Sequence, residues 1–596
     1  MNIYGKRIRT GLLLCLTILG ITPLLLAQAT TGTITGAVSD LTGAIVPGAT
    51  VTVRNIDTNI SRMAPTGDQG RYSFPALPIG NYEVTVDLTG FGKVVRGPVV
   101  LTLNEIAVVD VELKPAGVTA EVTTITDDAP ILNATNAEVG VRFDDKRLSD
   151  LPTQGMGDNS GGGFRDVFSF GLSVPGVSQI NQGNQGFSSG TDYSVNGGRL
   201  RSNNFTLDGQ DVNDPSLTGT QMKWNNPDAI QEFRMITNQF AAEYGRSSGS
   251  VINVATKSGT NTLHGSLFWY NNNNALNSLT NTNKSEGRTE APWRIENQLG
   301  GTIGGPIVRD KTFFFGSLQR WTDRKLGSGS TISSAPTEPG RAILQANGGS
   351  RLTTSALLQN LPTAQSAQTG TVRYCFNPTP WAGPGAPPAV TANASSPGQF
   401  ICAAAAQPMT PVPGWSVFAV PVGTLTNSTT LIFNDWQGSA RVDHTFNAAR
   451  HSVSARYMVD DQFNDGDGQA TPKGLANVVP QRSQAATLGL TSTLSPTFLN
   501  EFRLSWSRFA QATKPQTPSA LSIPSIEIAE LGLNGFNAVS TRTAIGYGVN
   551  LPQSRRNNIG QLTNNMTWIH GNHTTKWGGD IRRTDLASDG NPNVRG

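Results

Sequence analysis

The stretch DWQGSARVDHTF, at residues 435–446, alternates between two kinds of side chain with a period of two residues. One face carries Trp436, Gly438, Ala440, Val442, His444 and Phe446, and the other carries Asp435, Gln437, Ser439, Arg441, Asp443 and Thr445. Such alternation predicts a β-strand with an apolar and a polar face. The polar face suits a water-filled lumen or a polar protein surface. A soluble sheet with one wet face would alternate in the same way, so both readings remain open at this point.

The connections between strands of this kind are more informative than the strands themselves. We expect nine strands, at about residues 262–270, 296–307, 312–324, 434–446, 451–463, 484–494, 498–513, 557–569 and 574–586. The gaps between them alternate between long and short, which a transmembrane β-barrel with short periplasmic turns and long outer loops requires. Aromatic residues near the strand ends suit the girdles of such a barrel: Trp269, Tyr270, Trp321, Trp436, Trp568 and Trp577.

The amino terminus predicts export. Lys6, Arg7 and Arg9 precede an apolar run at residues 12–26, and Ala27-Gln28-Ala29 forms a small-residue cleavage site. This is the pattern of a secretory signal peptide covering residues 1–29. An anchoring helix is the less favoured alternative, because the apolar run is short.

Composition and charge exclude several classes of protein. Only 15% of the 596 residues are charged, and 65 are Gly, which favours strands and turns over long solvated helices. Removal of the leader with its three basic residues leaves 42 Lys and Arg against 42 Asp and Glu. A neutral chain without basic runs predicts no nucleic-acid binding.

Residues 30–115 have short alternating segments about ten residues apart, which predicts a small β-sandwich. The segments carry a recurring set of residues: Gly36, Val38, Asp40, Gly43, Pro47-Gly48-Ala49, Val51, Val53, Gly70, Tyr72, Phe74, Leu77-Pro78, Gly80, Tyr82, Val84 and Val86. This set resembles the carboxypeptidase regulatory-like domain. The resemblance implies a seven-stranded sandwich without peptidase chemistry, and we expect its aromatic residues to be core rather than a sugar-binding face.

Residues 116–257 resemble a second family. The stretch YSVNGGRLRSNNFTLDGQDVND, at residues 193–214, is similar to the plug domain of TonB-dependent receptors. Residues 226–270 and 297–319 are similar to the plug-to-barrel junction and the barrel of the Oar-like branch. That likeness implies plug–barrel polar contacts for four residues, with solvated surface charges as the equal alternative: Glu232, Arg234, Glu243 and Arg246.

The stretch TAEVTTIT, at residues 119–126, lies between the two regions. It is short, polar and extended, and an interdomain linker is the simpler interpretation. The functional interpretation is a segment that pairs with the sheet edge of a periplasmic energy-transducing partner by strand addition.

Two cysteines remain after removal of the leader, Cys375 and Cys402. In an exported protein such a pair predicts a disulfide rather than a metal site. Both lie in an unusually long connection from residue 325 to about residue 433, which we expect to be an outer loop that contacts ligand.

The sequence offers no catalytic, cofactor-binding or metal-binding constellation. Its five histidines are scattered, it contains no H-E-x-x-H, and no G-x-S-x-G nucleophile elbow between a strand and a helix is visible. We therefore expect a protein that performs no covalent chemistry and holds no cofactor.

The predicted fold class is mainly β, in four parts: a signal peptide at 1–29, a carboxypeptidase regulatory-like β-sandwich at 30–115, a mixed α/β plug at 116–257, and part of a transmembrane antiparallel β-barrel at 258–596. Nine strands are an odd number and fewer than half of the roughly 22 in the plugged barrels that the chain resembles. We therefore expect an N-terminal fragment of a longer protein.

The predicted function is that of a TonB-dependent receptor or transporter in the outer membrane, in contact with its lipid. It would bind an oligosaccharide, a peptide or a metal chelate at the cell surface and move it to the periplasm. A TonB-like periplasmic protein would supply the energy. The alternative is a surface adhesion or structural protein of the outer membrane without transport. A secreted carbohydrate-binding enzyme is poorly supported, because no catalytic group is found.

Overall fold

A computed structural model describes most of the chain after the leader. The described residues are 31–115, 123–125, 138–151, 166–178, 193–217, 219–222, 224, 226–241, 243–245, 247–285, 287–326, 330–348, 355, 358–359, 363–364, 366–377, 401–402, 416–427, 430–446, 449–467, 476–523, 551–571 and 573–589. The predicted signal peptide lies outside them.

The first part of the chain is a β-sandwich. Its strands are β1 Gly32–Asp40, β2 Thr50–Asn55, β3 Ser61–Pro65, β4 Arg71–Leu77, β5 Gly80–Asp87, β6 Val94–Leu101, β7 Ile106–Val108 and β8 Val111–Leu113, followed by β9 Thr123–Ile125. One sheet has the order β4-β1-β7, with β8 also on β1, and the other has the order β3-β2-β5-β6-β9. Strands β7 and β8 both pair in parallel with β1 and are separated only by residues 109–110, so together they form one interrupted strand.

The core between the two sheets is apolar, as the alternation in the sequence predicts. Tyr72, Phe74 and Tyr82 are all buried, which confirms their predicted core role. The two tyrosine hydroxyls donate to backbone carbonyls, those of Val109 and Pro78, so that neither polar group is buried without a partner.

The second part, which we call the plug, comprises the described residues between 138 and 256. Its elements are β10 Val139–Asp144, α1 Asp145–Asp150, β11 Val177–Ser178, β12 Ser194–Val195, β13 Asn203–Leu207, β14 Gln210–Asp211, β15 Ile230–Asn238 and β16 Ser250–Thr256, with 3₁₀ turns at Val167–Ser173, Leu200–Ser202 and Pro227–Ala229. A mixed sheet of order β10-β15-β16-β13-β14 carries an aromatic core that includes Phe143, Phe205 and Phe233.

The third part is a large antiparallel sheet with an insertion. Its elements are β17 His264–Asn273, a 3₁₀ turn Asn274–Leu276, α2 Asn281–Ser285, β18 Arg294–Val308, β19 Thr312–Leu326, β20 Ser330–Pro336, α3 Glu338–Gly348, β21 Ser366–Asn377, β22 Ile401–Cys402, β23 Ser416–Asn427, β24 Thr430–Phe446, β25 His451–Asp467, β26 Asn477–Ser495, β27 Phe498–Pro515, a 3₁₀ turn Pro518–Ser522, β28 Gln553–His570 and β29 His573–Asp589.

Nine of these strands form one sheet, in the order β17-β18-β19-β24-β25-β26-β27-β28-β29. They are the nine strands expected from the sequence, eight of them within four residues of their predicted bounds, whereas β26 begins seven residues earlier than predicted. Each pairs with its neighbour along the chain except across the insertion. Short turns join β18 to β19, β24 to β25, β26 to β27 and β28 to β29, all at the same end of the sheet. The predicted mainly β fold class is confirmed.

The two faces of this sheet differ in the way a membrane requires. A row of directly paired residues crosses seven strands on the outward face: Phe314, Val442, Ala455, Leu488, Leu504, Leu562 and Ile581. All are apolar, and Leu488, Leu504 and Ile581 are 46%, 49% and 54% exposed. Continuous apolar side chains without a protein partner on one face of a sheet are the pattern of a lipid-facing barrel wall.

The long connection at residues 325–433 is more structured than the sequence suggested. We expected an outer loop, and the described part contains strands in the order β20-β23-β21-β22 together with α3. The strands carry apolar residues such as Val420, Val422 and Leu425, which are buried. The prolines and glycines between them conceal this pattern. The insertion joins the ends of β19 and β24 that lie opposite the short turns.

No helix among the described residues is long and apolar enough to cross a membrane.

Replacing Leu504 by Arg tests the orientation of the sheet. Leu504 lies between the outward-facing Phe502 and Trp506, so we expect an arginine there to destabilise the folded full-length protein in lipid vesicles by about 2–4 kcal/mol. The change should be measured by urea unfolding, with Leu504→Met as the matched control. Equal stability of the two variants would mean that this face does not contact lipid.

Candidate functional site

A two-residue turn of the plug is the centre of its contact with the barrel sheet. Strands β13 and β14 form a hairpin in which Leu207 pairs with Gln210, so that Asp208 and Gly209 alone make the turn. Both have positive φ, 47° and 72°. This is the geometry of a type I′ turn, for which Asp-Gly is a favoured sequence. The turn carries the carboxylate of Asp208, and the strand after it, β14, carries the carboxylate of Asp211.

One row of the barrel sheet faces this hairpin. It runs across the strands through directly paired residues, one position away from the outward apolar row: Arg441, Arg456, Thr487, Ser505, Gln561 and Arg582. Because side chains alternate along a strand, a row one residue from the lipid-facing row points inward. The hairpin therefore meets a polar line of side chains that comes from six neighbouring strands.

Asp208 is bound at one end of this row. Arg456 donates to its carboxylate, Arg441 Nη1 lies 3.8 Å from Oδ1, and the backbone N–H and hydroxyl of Thr256 donate to it at 2.9 and 2.7 Å. Burial by itself would raise the pKa of Asp208, but the two guanidinium groups and the Thr256 donors outweigh it and hold the pKa below the usual value. The carboxylate is therefore ionised at neutral pH.

The middle of the row is occupied by Gln210. Its amide oxygen accepts from Arg456 Nη2 at 2.6 Å and from the Thr487 hydroxyl at 2.8 Å. Its amide nitrogen donates to the backbone carbonyl of Trp506 at 2.9 Å. The amide oxygen and the amide nitrogen of this side chain are thus bound by residues of three adjacent barrel strands, which fixes the position of the hairpin along the row.

Asp211 lies at the other end of the row. Its backbone N–H donates to Gln561 Oε1 at 3.0 Å, and Arg582 Nη1 donates to its carboxylate at 2.5 Å. The hairpin therefore contacts β24, β25, β26, β27, β28 and β29 within four residues of sequence.

A second set of contacts lies nearer the long-loop end of the barrel. Arg555 Nη1 donates to Asp214 Oδ2 at 2.9 Å, and Asn557 Nδ2 donates to Oδ1 at 3.2 Å. Gln221 adds a bond at 2.6 Å to the hydroxyl of Ser507. Asp208, Asp211 and Asp214 thus each carry a charge-assisted bond from an arginine of the barrel.

The structure describes three of the four residues expected at the plug–barrel contact. Two of these three contact the sandwich, and the third lies beside a barrel strand. Glu232 and Arg234 share one face of β15, opposite Phe233 and Met235, which pack into the plug core. That face turns toward the sandwich rather than toward a barrel strand. Glu232 accepts from the N–H of Leu103 at 3.1 Å, and Arg234 donates to the Leu103 carbonyl and to Glu138 Oε2, the latter at 2.9 Å.

Of the three members of that set that the structure describes, Glu243 lies beside a barrel strand, with Oε1 3.5 Å from Lys576 Nζ on β29. Arg246 is outside the described residues. Burial raises the pKa of Glu232 to about 7, against the N–H of Leu103 and nearby arginines, which lower it. The plug–barrel role expected for the set of four residues stays a prediction.

The three parts of the chain meet at the short-turn end of the barrel. The N–H of Asn261 donates to the carbonyl of Asp57 at 2.9 Å, and the Thr31 hydroxyl donates to Glu501 at 3.3 Å. A cavity of about 220 Å³ lies between them, lined among others by Arg62 and Tyr82 of the sandwich, Asp208 and Thr256 of the plug, and Arg441 and Glu501 of the barrel.

The two cysteines are brought together by the insertion. Strands β21 and β22 pair antiparallel, with Cys375 directly opposite Cys402. Opposed residues of antiparallel strands have Cα atoms about 4.5 or 5.5 Å apart, and disulfides span about 4.4–6.8 Å. The backbone register therefore suits the predicted disulfide.

Together these features define an outer-membrane type of β-barrel wall with a plug held on its inner face. A family model described as "Outer membrane beta barrel domain" matches residues 255–596, and one described as "Carboxypeptidase regulatory-like domain" matches residues 33–114. The first match spans more than half of the chain, so the chain belongs to the outer membrane beta barrel domain family. The protein is accordingly located in the outer membrane.

Relatives are found both by sequence and by fold. The chain is 31% identical over 297 residues to the TonB-dependent transporter Oar of Myxococcus xanthus, a match covering 48% of this chain and 26% of Oar. The outer-membrane transporter YddB of Escherichia coli is 10% identical with a TM-score of 0.44, over 75% of this chain and 48% of YddB. A variant of the ferric enterobactin receptor PfeA of Pseudomonas aeruginosa is 8% identical with a TM-score of 0.39, over 75% and 49%. The chain thus matches about half or less of each relative's length.

Replacing Asp208 tests the seating of the hairpin. Asp208→Ala leaves Arg456 and Arg441 without their carboxylate, and breaking one half of a buried ion pair costs about 3–5 kcal/mol. We expect the plug of the full-length protein in detergent to become sensitive to protease at lower urea concentrations. The matched control is Asp461→Asn, which breaks an exposed pair with Arg482 and should cost less than about 1 kcal/mol. Equal effects of the two variants would contradict the assignment.

Alkylation tests the cysteine pair. We expect Cys375 and Cys402 of the full-length protein to resist a maleimide until a reductant is added, and the bond to contribute about 3 kcal/mol to stability of the insertion. The measurement is the mass of the labelled peptides with and without reductant. Equal labelling in both conditions would exclude the disulfide.

Proposed function

We propose that the chain is part of a TonB-dependent receptor that binds a ligand at the cell surface and moves it across the outer membrane. The observation that supports this most directly is the seating of the plug. Besides apolar contacts of its core with Phe315, Met458 and Ala485, it is bound to the wall through charged and polar side chains of one hairpin and the residues just after it. Such contacts can be exchanged for water, so a plug held by them can move while the barrel stays intact. The resemblance to Oar supports the same reading.

The order of strands in the plug suggests how it would move. The sheet has β10 at one edge and β14 at the other. The chain enters the plug at β10 from the segment at residues 119–126, whereas the barrel contacts lie at the β13–β14 edge. A TonB-like partner pulling on that segment would load β10 first. We infer that the plug opens from this edge while the Asp208 hairpin holds the opposite edge against the wall.

The ligand would be captured at the opposite end of the barrel. The insertion with β20 to β23 and α3 joins strand ends that lie away from the sandwich and the short turns. If the sandwich is periplasmic, this insertion is outside the cell. We infer that it contributes to ligand capture, and that the ligand is an oligosaccharide, a peptide or a metal chelate. Binding and displacement suffice for this function, so no covalent step and no cofactor is invoked.

An uptake assay tests the proposal. Cells that lack the gene and cells complemented with the full-length gene would be given radiolabelled maltodextrins, a mixed set of short peptides, and ferric chelates in parallel. We expect one class to accumulate only in complemented cells, and accumulation to stop when a protonophore removes the proton gradient. A variant lacking residues 119–126 should remain in the membrane without accumulating it.

Two results would contradict transport. Accumulation that survives the protonophore would exclude energy coupling through an inner-membrane partner. Equal accumulation of all three classes in both cell types, together with loss of surface attachment in the deletion strain, would instead favour the adhesion function. The Leu504→Met variant serves as the control for expression and membrane insertion.

A further inference from the structure

A groove runs between the sandwich and the short-turn end of the barrel wall, and we call it the rim groove. Its cavity measures about 840 Å³, which lies within the range of roughly 300–1,000 Å³ that is typical of ligand pockets. Residues of β3 and β4, including Arg62 and Phe74, line it on the sandwich side, and the turns after β18, β24 and β26 line it on the barrel side. It shares Arg62 and Arg450 with the smaller cavity described above, but no residue of the Asp208 hairpin lines it.

Three cationic side chains line the rim groove. They are Arg62 of the sandwich, Lys311 of the turn between β18 and β19, and Arg450 of the turn between β24 and β25. Asp310 also lines it, and its carboxylate accepts from Asn261 Nδ2 at 2.8 Å. Among the residues that the structure describes, no carboxylate forms an ion pair with any of the three cations. The groove therefore carries an excess of positive charge, which favours an anionic occupant.

Hydrogen bonds hold the elements that carry these three cations. A backbone N–H of β24 donates to the carbonyl of Lys311 at 2.9 Å, and a backbone N–H of β26 donates to the carbonyl of Arg450 at 2.7 Å. Each turn is thus tied to the neighbouring strand of the wall. On the other side of the groove, Arg62 Nη1 donates to the carbonyl of Pro75 at 2.7 Å, so the guanidinium bridges from β3 to β4. A ligand that binds here does not have to order a loop, which lowers the entropic cost of binding.

The rim groove lies at the level where the lipid-facing surface of the wall ends. Phe446 is the last residue of β24, lies on the outward face of that strand, lines the groove and is 45% exposed. Exposed apolar residues also lie at the ends of two neighbouring elements, Val308 on β18 and Leu494 on β26. Phospholipid head groups begin where such an apolar surface ends. Lys311 and Arg450 follow a few residues further along the chain, at the depth of the phosphates.

We propose that the rim groove binds one anionic glycerophospholipid of the periplasmic leaflet, of the phosphatidylglycerol class. Its phosphate lies among Arg62, Lys311 and Arg450, where charge-assisted hydrogen bonds hold it. Its acyl chains follow the outward apolar face of β24 past Phe446. The lipid joins the sandwich to the wall, because one cation belongs to the sandwich and two belong to the barrel turns. This inference goes beyond the proposed function, since it requires the barrel wall in the outer membrane but no transport.

Binding of a defined lipid to the purified, delipidated full-length protein in detergent tests the site. The probe is dioleoylphosphatidylglycerol, which is added in steps and counted on the protein by native mass spectrometry. The double variant Lys311→Gln with Arg450→Gln removes two charges from exposed turn positions and keeps the backbone bonds of both turns. The matched control is Lys93→Gln with Lys114→Gln, which removes two exposed lysines of the sandwich that do not line the groove.

We expect the unchanged protein and the control to bind one phosphatidylglycerol molecule with equal affinity, and the turn variant to bind it about tenfold or more weakly. Equal affinity of the turn variant and the unchanged protein would overturn the proposal, and so would an equal loss of affinity in the control. Glycerol phosphate and inorganic phosphate are added as competitors. Displacement of the lipid by either one at the lipid's own concentration would assign the groove to a free phosphate and would also overturn the proposal. Because no uptake is measured, each of these results leaves the transport hypothesis to its own test.

Discussion

The seating of a four-residue hairpin on one row of the barrel sheet is the interaction on which the rest of the arrangement depends. Asp208, Gln210 and Asp211 contact side chains that occupy a single line of paired residues across six strands. The adjacent line, one residue away, is apolar and faces outward. Because the side-chain period of a strand is two, a slip of one residue in a single strand would bring Arg441, Arg456 or Arg582 into lipid. The lipid and the plug therefore specify the same register from opposite faces.

The energetics of this contact explain how a plug can be both well placed and movable. Burying two charges costs several kcal/mol per ion, and their attraction repays it only when the geometry is good. A buried pair therefore contributes little net stability, although losing one partner alone is expensive. Asp208 with Arg456, Asp211 with Arg582 and Asp214 with Arg555 follow this pattern. If all three separate together into water, each charge regains its hydration. Such pairs specify the position of the plug without making it permanent.

The sequence was sufficient to predict the barrel strands but insufficient to predict which residues the side chains contact. Alternation and connection lengths predict all nine barrel strands. The membrane requires an apolar outward face on every strand, and all the short turns lie at the same end of the sheet. The contacts of Glu232 and Arg234 were not predictable in this way, since alternation tells which side chains share a face of β15 but not what packs on it. Asp208 could have been found, because Asp-Gly between two short strands is a strong hairpin signal. The small sheet of the insertion was hidden by the prolines and glycines between its strands, and so was the register that places Cys375 opposite Cys402.

The architecture connects the segment proposed to bind the periplasmic partner to the hairpin through an unbroken series of backbone pairings and side-chain bonds. Strand β9 pairs with β6, β6 leads to Leu103, and Leu103 is bound by Glu232 and Arg234 on β15. Strand β15 pairs with β16, and β16 pairs with β13, which ends in the Asp208 turn. Hydrogen-bonded strands resist sliding along their length better than they resist being opened one bond at a time from an edge. A force that reaches the sheet at β10 acts at such an edge, whereas the hairpin is bound along a whole row. The plug should therefore yield first where the chain enters it and last where the barrel holds it.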